Sequence, residues 1–136
     1  MNNTENMIID NKFLDDLLEQ AANSERKRTT FDARTTSADN SQRAINAMMP
    51  GTVVPIHRHR KTSETFAVLK GKLTSILFDD NGNETARLEL GSSVGAPMVI
   101  IPAGTWHTVE VNEPCVIFEA KDGAYEPVAP EDVMKR

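Results

Sequence analysis

The chain has 136 residues, of which 20 are acidic and 15 basic, and its formal net charge at pH 7 is -5. This length is typical of one domain, the acidic balance argues against a nucleic-acid partner, and the one cysteine, Cys115, excludes an internal disulfide. No stretch approaches the roughly 18 consecutive apolar residues of a membrane span, and the N-terminus lacks a signal-peptide pattern. We therefore expect a cytoplasmic protein with neither nucleic acid nor membrane as a partner.

Residues 10–28 predict a helix with Asp10 as its N-cap. The basic run at 26–28 is expected to be the solvated end of this helix. Residues 29–41 are polar and aperiodic, so they predict a loop, and residues 1–41 would form a helix-and-loop extension. The apolar stripe of the helix consists of Phe13, Leu14, Leu17, Leu18 and Ala21.

From residue 42 the pattern changes to short β segments separated by turn residues. Pro50-Gly51 marks a turn, and Asn81-Gly82 is the strongest hairpin signal in the chain. Seven or eight such strands predict an all-β sandwich or barrel over residues 42–136, with an irregular tail that ends in a short helical turn. The segments are QRAINAMM, TVVPIHRHR, SETFAVLKG, KLTSILFDD, ETARLEL, VIIPAG, TWHTVEV and PCVIFEAK.

The chain has three histidines, and two of them, His57 and His59, are separated by one residue in a strand-like segment. Side chains two apart on a strand share a face, with Cβ atoms roughly 7 Å apart, so both imidazoles can reach one metal ion. Arg58 and Arg60 would then point the other way, as solvated or interface charges. Imidazole and carboxylate ligands together suit iron, manganese, nickel, copper or zinc.

The spacing around these histidines resembles the first motif of the cupin superfamily. Gly51, five residues, His57-x-His59, four residues, Glu64, six residues and Gly71 match it at every position. The second motif is matched in its core by Pro102-x-Gly104-x-x-His107, although its flanking residues drift by one position.

The resemblance narrows to the WbuC-type cupin-fold metalloproteins, through QRAINAMMPG, the FDDNG hairpin and an E-x-K-D-G-x-Y-x-P end. It implies a cupin fold, a double-stranded β-helix or jelly-roll barrel, that follows the N-terminal helix. It also implies one divalent metal ion (Fe, Mn, Ni or Zn), with His57, His59, Glu64 and His107 in the ligand positions.

A metal ion on the inner wall of a small barrel leaves one end open for a small ligand. Arg43 and Tyr125 are the candidate catalytic residues, and Trp106 is expected mainly to pack. The full set of candidates for contact with the metal ligands or the substrate is Arg43, Asn46, Arg58, Arg60, Trp106 and Tyr125.

Two functions remain open at this point. The first is a metal-dependent enzyme on a small sugar-like or oxo-acid substrate, an isomerase or epimerase or a dioxygenase, with surface-polysaccharide metabolism implied by the resemblance. The second is a non-catalytic module that senses a metal or a small ligand. Exposed sheet edges and an apolar helix further predict a homodimer.

Overall fold

A computed structural model describes residues 7–135, which form one α-helix, eight β-strands and a short 3₁₀ helix. None of the helices in this part of the chain is long and apolar enough to cross a membrane. The elements are α1 (Asn11–Ala22), β1 (Arg28–Asp32), β2 (Gln42–Met48), β3 (Glu64–Lys70), β4 (Lys72–Phe78), β5 (Glu84–Gly91), β6 (Met98–Ile101), β7 (Trp106–Glu110), β8 (Cys115–Lys121) and the 3₁₀ helix Pro130–Asp132.

The strands form two antiparallel sheets, which confirms the predicted all-β jelly-roll fold. The first sheet has the order β1-β2-β8-β3-β6 and the second the order β5-β4-β7. Alternate residues of both sheets point inward and make one apolar core between them. The largest buried side chains of this core include Phe66, Leu90 and Ile101.

Helix α1 covers the outer face of the first sheet. Asp10 is its N-cap, as predicted, and accepts a hydrogen bond from the Phe13 backbone N–H at 2.9 Å. Leu14, Leu17 and Ala21 are buried against residues of β2 and β8. The apolar stripe of the helix therefore closes a second, smaller core on the outside of the barrel.

The prediction that this helix reaches residue 28 was wrong, because it ends at Ala22. Ser24 accepts a hydrogen bond from the Arg26 backbone N–H, and Lys27 takes a left-handed conformation with φ 61°. A serine side chain that bonds the local backbone favours a turn over a further helical turn. The apolar stripe also stops at Ala21, so a longer helix would bury no further apolar side chains.

Residues 29–41 do not form only a loop, because β1 begins at Arg28 and pairs along its whole length with β2. Its β-branched and aromatic residues suit a strand, but five residues give too short a pattern to detect alone. The segment TVVPIHRHR was predicted to be a strand, and this prediction was wrong. The segment forms only isolated β-bridges, from His57 to His107 and from His57 to Val133. Pro55 cannot donate a strand hydrogen bond, which disfavours a regular strand there.

The turns follow the sequence closely. The Asn81-Gly82 hairpin joins β4 to β5, with Asp79 N–H donating to Asn83 O at 2.9 Å. Between β3 and β4 the chain turns at Gly71, whose φ is 77° and where an added Cβ would lie 2.2 Å from the Pro114 carbonyl oxygen. Only glycine satisfies both conditions.

Candidate metal centre

The three histidines converge from two parts of the chain. His57 and His59 lie in the segment between β2 and β3, and His107 lies on β7. His57 and His107 exchange backbone hydrogen bonds of 3.0 and 2.8 Å, which fixes the segment beside the strand. One ring nitrogen from each of the three histidines lies within 4.8 Å of the other two, so these side chains are placed to hold one metal ion.

Glu64 adds a buried carboxylate to this cluster. It is the first residue of β3 and only 6% exposed. Its Oε1 lies 3.0 Å from His107 Nε2 and 3.5 Å from His59 Nε2. The structure therefore brings together all four residues that the sequence nominates as ligands.

The backbone fixes which ring nitrogen of two histidines carries the proton. His57 Nδ1 lies 2.9 Å from Pro55 O, and His107 Nδ1 lies 2.9 Å from Thr105 O. A carbonyl oxygen only accepts, so each Nδ1 is the donor and each neutral ring keeps its lone pair at Nε2. Bonds of this kind orient histidines that bind metals.

The contact between His107 and Glu64 then requires a cation. In the neutral ring, the lone pair at Nε2 faces the Glu64 Oε1 at 3.0 Å, which places one acceptor against another. A proton on Nε2 or a metal ion between the two groups removes this repulsion. The buried donor set therefore fits a divalent ion.

Two of the three histidines are neutral at pH 7, as metal ligands must be. Burial lowers the pKa of His57, and it lowers the pKa of His59 to about 4, so both rings are neutral at pH 7. Burial acts the same way on His107, but the hydrogen bond and charge of Glu64 outweigh it and raise the pKa of that ring. Burial opposes the charge of Glu64, yet its contact with His107 lowers the pKa of the carboxyl.

The C-terminal tail contacts the segment that carries His57 and His59 (the histidine segment), mainly through Asp132. We call this set of contacts the C-terminal clamp. The Asp132 carboxylate accepts hydrogen bonds from Arg58 Nε at 2.9 Å and Arg60 Nε at 2.6 Å. Arg58 also stacks over the Trp106 ring, with its Cζ 4.4 Å from the ring centre. Both arginines are thus ion-paired. The expectation of a solvated charge is wrong for Arg58, whose side chain is only 20% exposed, whereas Arg60 is 54% exposed.

Asp132 escaped the sequence analysis because nothing in the tail marks one acidic residue among several. Two backbone bonds complete the clamp, from Arg58 N to Asp132 O at 3.0 Å and from Met134 N to Ile56 O at 2.8 Å. The tail therefore positions the loop that carries His57 and His59.

The cluster lies in a cavity of about 420 Å³ on the inner face of the first sheet. Of the candidates for contact with the substrate, Arg43, Asn46 and Tyr125 line it, whereas Arg58, Arg60 and Trp106 do not. The lining residues are Arg26, Arg28, Thr30, Asp32, Arg34, Gln42, Arg43, Ala44, Asn46, Met48, Val54, His57, His59, Glu64, Phe66, His107, Thr108, Val109, Ile117, Glu119, Lys121 and Tyr125.

Of the two candidate catalytic residues, one is exposed at this cavity and the other is already hydrogen-bonded to neighbouring side chains. Tyr125 is 61% exposed. Arg43 donates to Asp39 Oδ2 at 2.7 Å and to Ser41 Oγ at 3.1 Å, so part of its guanidinium is already engaged.

A chain of polar contacts crosses the wall of the cavity and includes Glu119, which the sequence analysis missed. Thr30 Oγ1 donates to Asn46 Oδ1 at 2.5 Å, Asn46 Nδ2 donates to Glu119 Oε1 at 3.0 Å, and Lys121 Nζ donates to Glu119 Oε2. Burial and the nearby charge of Glu64 raise the pKa of Glu119. The signal was present, since alternation along PCVIFEAK places Glu119 and Lys121 on one face.

Two members of the basic run, Arg26 and Arg28, also line the cavity. The prediction that the run ends the helix was wrong, although Arg26 and Lys27 are exposed as expected. The helix stops before the run, and Arg28 begins β1. Arg28, Thr30 and Asp32 alternate along that strand and share its inner face.

Comparison with known proteins identifies a family and a fold. A family model described as a domain of unknown function (DUF6016) matches residues 9–90. No curated protein matches the chain. Among solved structures, the capsular polysaccharide assembling protein CapF from Staphylococcus aureus is 23% identical, with a TM-score of 0.64 over 76% of this chain and 30% of that chain.

Two further structures have the same fold. A recombinant oxalate oxidase in complex with glycolate is 16% identical, with a TM-score of 0.61 over 78% of this chain and 56% of that chain. A Lactobacillus farciminis oxalate decarboxylase in a formate complex is 19% identical, with a TM-score of 0.55 over 72% of this chain and 29% of that chain. These cupin-fold structures confirm the fold, and this chain spans less than a third of the CapF length.

Proposed function

The chain belongs to the family described as a domain of unknown function, DUF6016, and on that premise we propose that it is a cupin metalloprotein with one divalent ion on His57, His59, Glu64 and His107. The observation that carries this proposal is the 3.0 Å approach of Glu64 Oε1 to His107 Nε2 inside a cluster of three histidines. The segment QRAINAMMPG, the FDDNG hairpin and the E-x-K-D-G-x-Y-x-P end support a WbuC-type metalloprotein in particular.

Elemental analysis of protein purified without added metal tests this proposal. We expect close to one divalent ion per chain in the wild type and loss of most of it in His57→Ala and His107→Ala. Glu64→Gln should lower occupancy less, because the amide oxygen can still coordinate but no longer carries a negative charge. Arg87→Gln, on β5 of the second sheet, is the matched control and should keep its metal. Equal metal content in all variants would refute the assignment.

We further propose that the protein is an enzyme acting on a small oxygen-rich substrate in the cavity. A divalent ion bound there would supply a Lewis acid for a carbonyl or enolate oxygen. Glu119 faces the same cavity, and Asn46 and Lys121 hold its two carboxylate oxygens. That position suits a residue that moves a proton to or from the substrate.

Solvent deuterium incorporation separates an enzyme from a binding module. Metal-loaded protein is incubated in D₂O with a panel of small oxo-acids and sugars, and exchange is followed by NMR. We expect exchange with at least one compound and a loss of about 10²-fold or more in Glu119→Gln at unchanged metal content. Saturable binding of a compound without exchange would favour the alternative, a non-catalytic ligand-sensing module.

The setting that we propose is surface-polysaccharide metabolism, supported by the WbuC-type resemblance and by the fold likeness to a capsular polysaccharide assembling protein.

We also propose a homodimer, because Leu69, Met98 and Ile100 of the β3-β6 edge are 43%, 51% and 67% exposed. Light scattering should return twice the mass of the 15.0 kDa chain. A mass near that of one chain at micromolar concentration would contradict the dimer.

A further inference from the structure

Two arginines at the start of β1 line the cavity that holds the histidine cluster. Arg28 is the first residue of β1 and is in register with Met48, which also lines the cavity. Arg26 lies two residues earlier, before the left-handed turn at Lys27. Arg26 and Thr30 are exposed, whereas Arg28 is half-buried, so the cavity reaches solvent beside this strand.

The other cations of the cavity have carboxylate partners. Arg34 pairs with Asp32, Arg43 with Asp39 and Lys121 with Glu119. The sequence position of Asp32 keeps it away from Arg28, since four residues along a strand separate their Cα atoms by about 13 Å. These three pairs are complete without Arg26 or Arg28.

Arg26 and Arg28 have no such partner within residues 7–135. No ion pair joins either guanidinium to a carboxylate there, and Arg28 Nε is buried without a hydrogen-bond acceptor. Burial lowers the pKa of Arg28, and the charge of Arg26 lowers it further. An arginine still remains charged, so the fold places two neighbouring positive charges at the cavity, and one of these two arginines has an unsatisfied N–H donor.

Such an arrangement costs stability, because a buried donor without a partner loses its hydration and gains nothing in return. An incoming anion offsets that cost with charge-assisted hydrogen bonds, and guanidinium groups bind carboxylates and phosphates through two parallel bonds. The unpaired arginines therefore point to a negatively charged ligand.

We propose that Arg28, assisted by Arg26, binds the carboxylate or phosphate group of the ligand that occupies this cavity. The inference deepens the proposed function and rests on it for the second anchor, the metal centre. Thr30, Asn46 and Glu119 line the same cavity and add polar groups to its wall. The ligand class is thus a small hydroxylated acid or phosphate ester rather than a neutral sugar.

The experiment titrates two probes, inorganic phosphate and malonate, into the protein at low ionic strength by isothermal calorimetry. Each titration is run on protein as purified and on protein treated with a chelator, because either probe can also coordinate a metal ion. The variants are Arg28→Gln, Arg28→Lys and Arg26→Gln, with Arg87→Gln as a control that removes one exposed positive charge from the second sheet.

We expect saturable binding of at least one probe to wild type in both metal states. Arg28→Gln should weaken it about 10-fold or more, Arg26→Gln less, and Arg87→Gln less than 2-fold. The affinity of Arg28→Lys for the probe should lie between those of wild type and Arg28→Gln, because lysine keeps the positive charge but cannot form the two parallel hydrogen bonds of a guanidinium group. The stronger probe identifies the ligand group as phosphate or dicarboxylate.

Thermal unfolding separates a binding role from a structural one. Arg28→Gln should unfold at the same temperature as wild type or a higher one, because it removes an unsatisfied buried donor, while the rise that the anion causes in wild type should disappear. Absence of saturable binding, or binding equal in wild type and Arg28→Gln, would overturn the anion site even if the protein carries its metal. Anion binding at Arg28 in protein that never holds metal would keep this site and refute the metal proposal alone.

Discussion

Replacing Asp132 by alanine should weaken metal binding although it removes none of the four proposed ligands. The change deletes the acceptor for Arg58 Nε and Arg60 Nε, the two residues that flank His59. It leaves the backbone bonds of the clamp, from Arg58 N to Asp132 O and from Met134 N to Ile56 O. The histidine segment should therefore stay beside β7 but with its side chains less firmly positioned.

The size of the effect follows from what remains of the clamp. Losing a group that orients metal ligands typically weakens metal binding by about 10- to 100-fold. Because the backbone bonds persist, we expect the lower end, about 10-fold, for Asp132→Ala. Asp132→Asn keeps one acceptor oxygen for a guanidinium and should lose only about 3-fold.

Competition with a chromogenic chelator at pH 7.5 measures these affinities. The matched control is Glu126→Ala, which removes an ion pair with Lys61 of the same segment at 3.8 Å, between side chains that are 66% and 79% exposed. An exposed pair of this kind contributes little, so the control should change affinity less than 2-fold. An unchanged affinity in Asp132→Ala, or a loss no larger than that in Glu126→Ala, would refute the positioning role.

Two further predictions concern pH and backbone strain. The contact with Glu64 raises the pKa of His107, while burial lowers the pKa values of His57 and His59. Metal binding should therefore displace about one proton from the protein below the raised pKa of His107 and almost none above it. Calorimetry in buffers of different ionisation enthalpy counts these protons, and a release of two or three protons near pH 7 would contradict the assignment. Gly71→Ala should lower the free energy of unfolding by at least about 2 kcal/mol, since its φ is 77° and the new Cβ would meet the Pro114 carbonyl oxygen at 2.2 Å. Urea denaturation measures this loss, and an unchanged midpoint would show that the turn relaxes freely.

The four candidate ligands could be nominated from the sequence because their spacing is local and unusual. A fixed pattern from Gly51 to Gly71 nominates His57, His59 and Glu64, and the second motif adds His107 from a distant strand. Period-two alternation likewise revealed most strands, since each buries one face of a sheet. These features are written into short stretches of sequence and do not depend on which segments meet.

The remaining site residues depend on contacts between distant segments. Asp132 matters only because the tail returns to the histidine segment 72 and 74 residues away. Arg28 lines the cavity only because β1 pairs with β2, and that pairing turns a basic run at a helix end into part of a strand. The β propensity of a segment alone cannot predict which strand it pairs with, because the five residues of β1 are stabilised by their contacts with the neighbouring strand.

The most direct test of the metal centre is anomalous diffraction from crystals of the protein purified without added metal, at the absorption edge of the element found in it. We predict one anomalous peak per chain, at about 2.0–2.2 Å from Nε2 of His57, His59 and His107 and from a carboxylate oxygen of Glu64. No peak among these four side chains, or a single strong peak elsewhere on the molecule, would contradict the account.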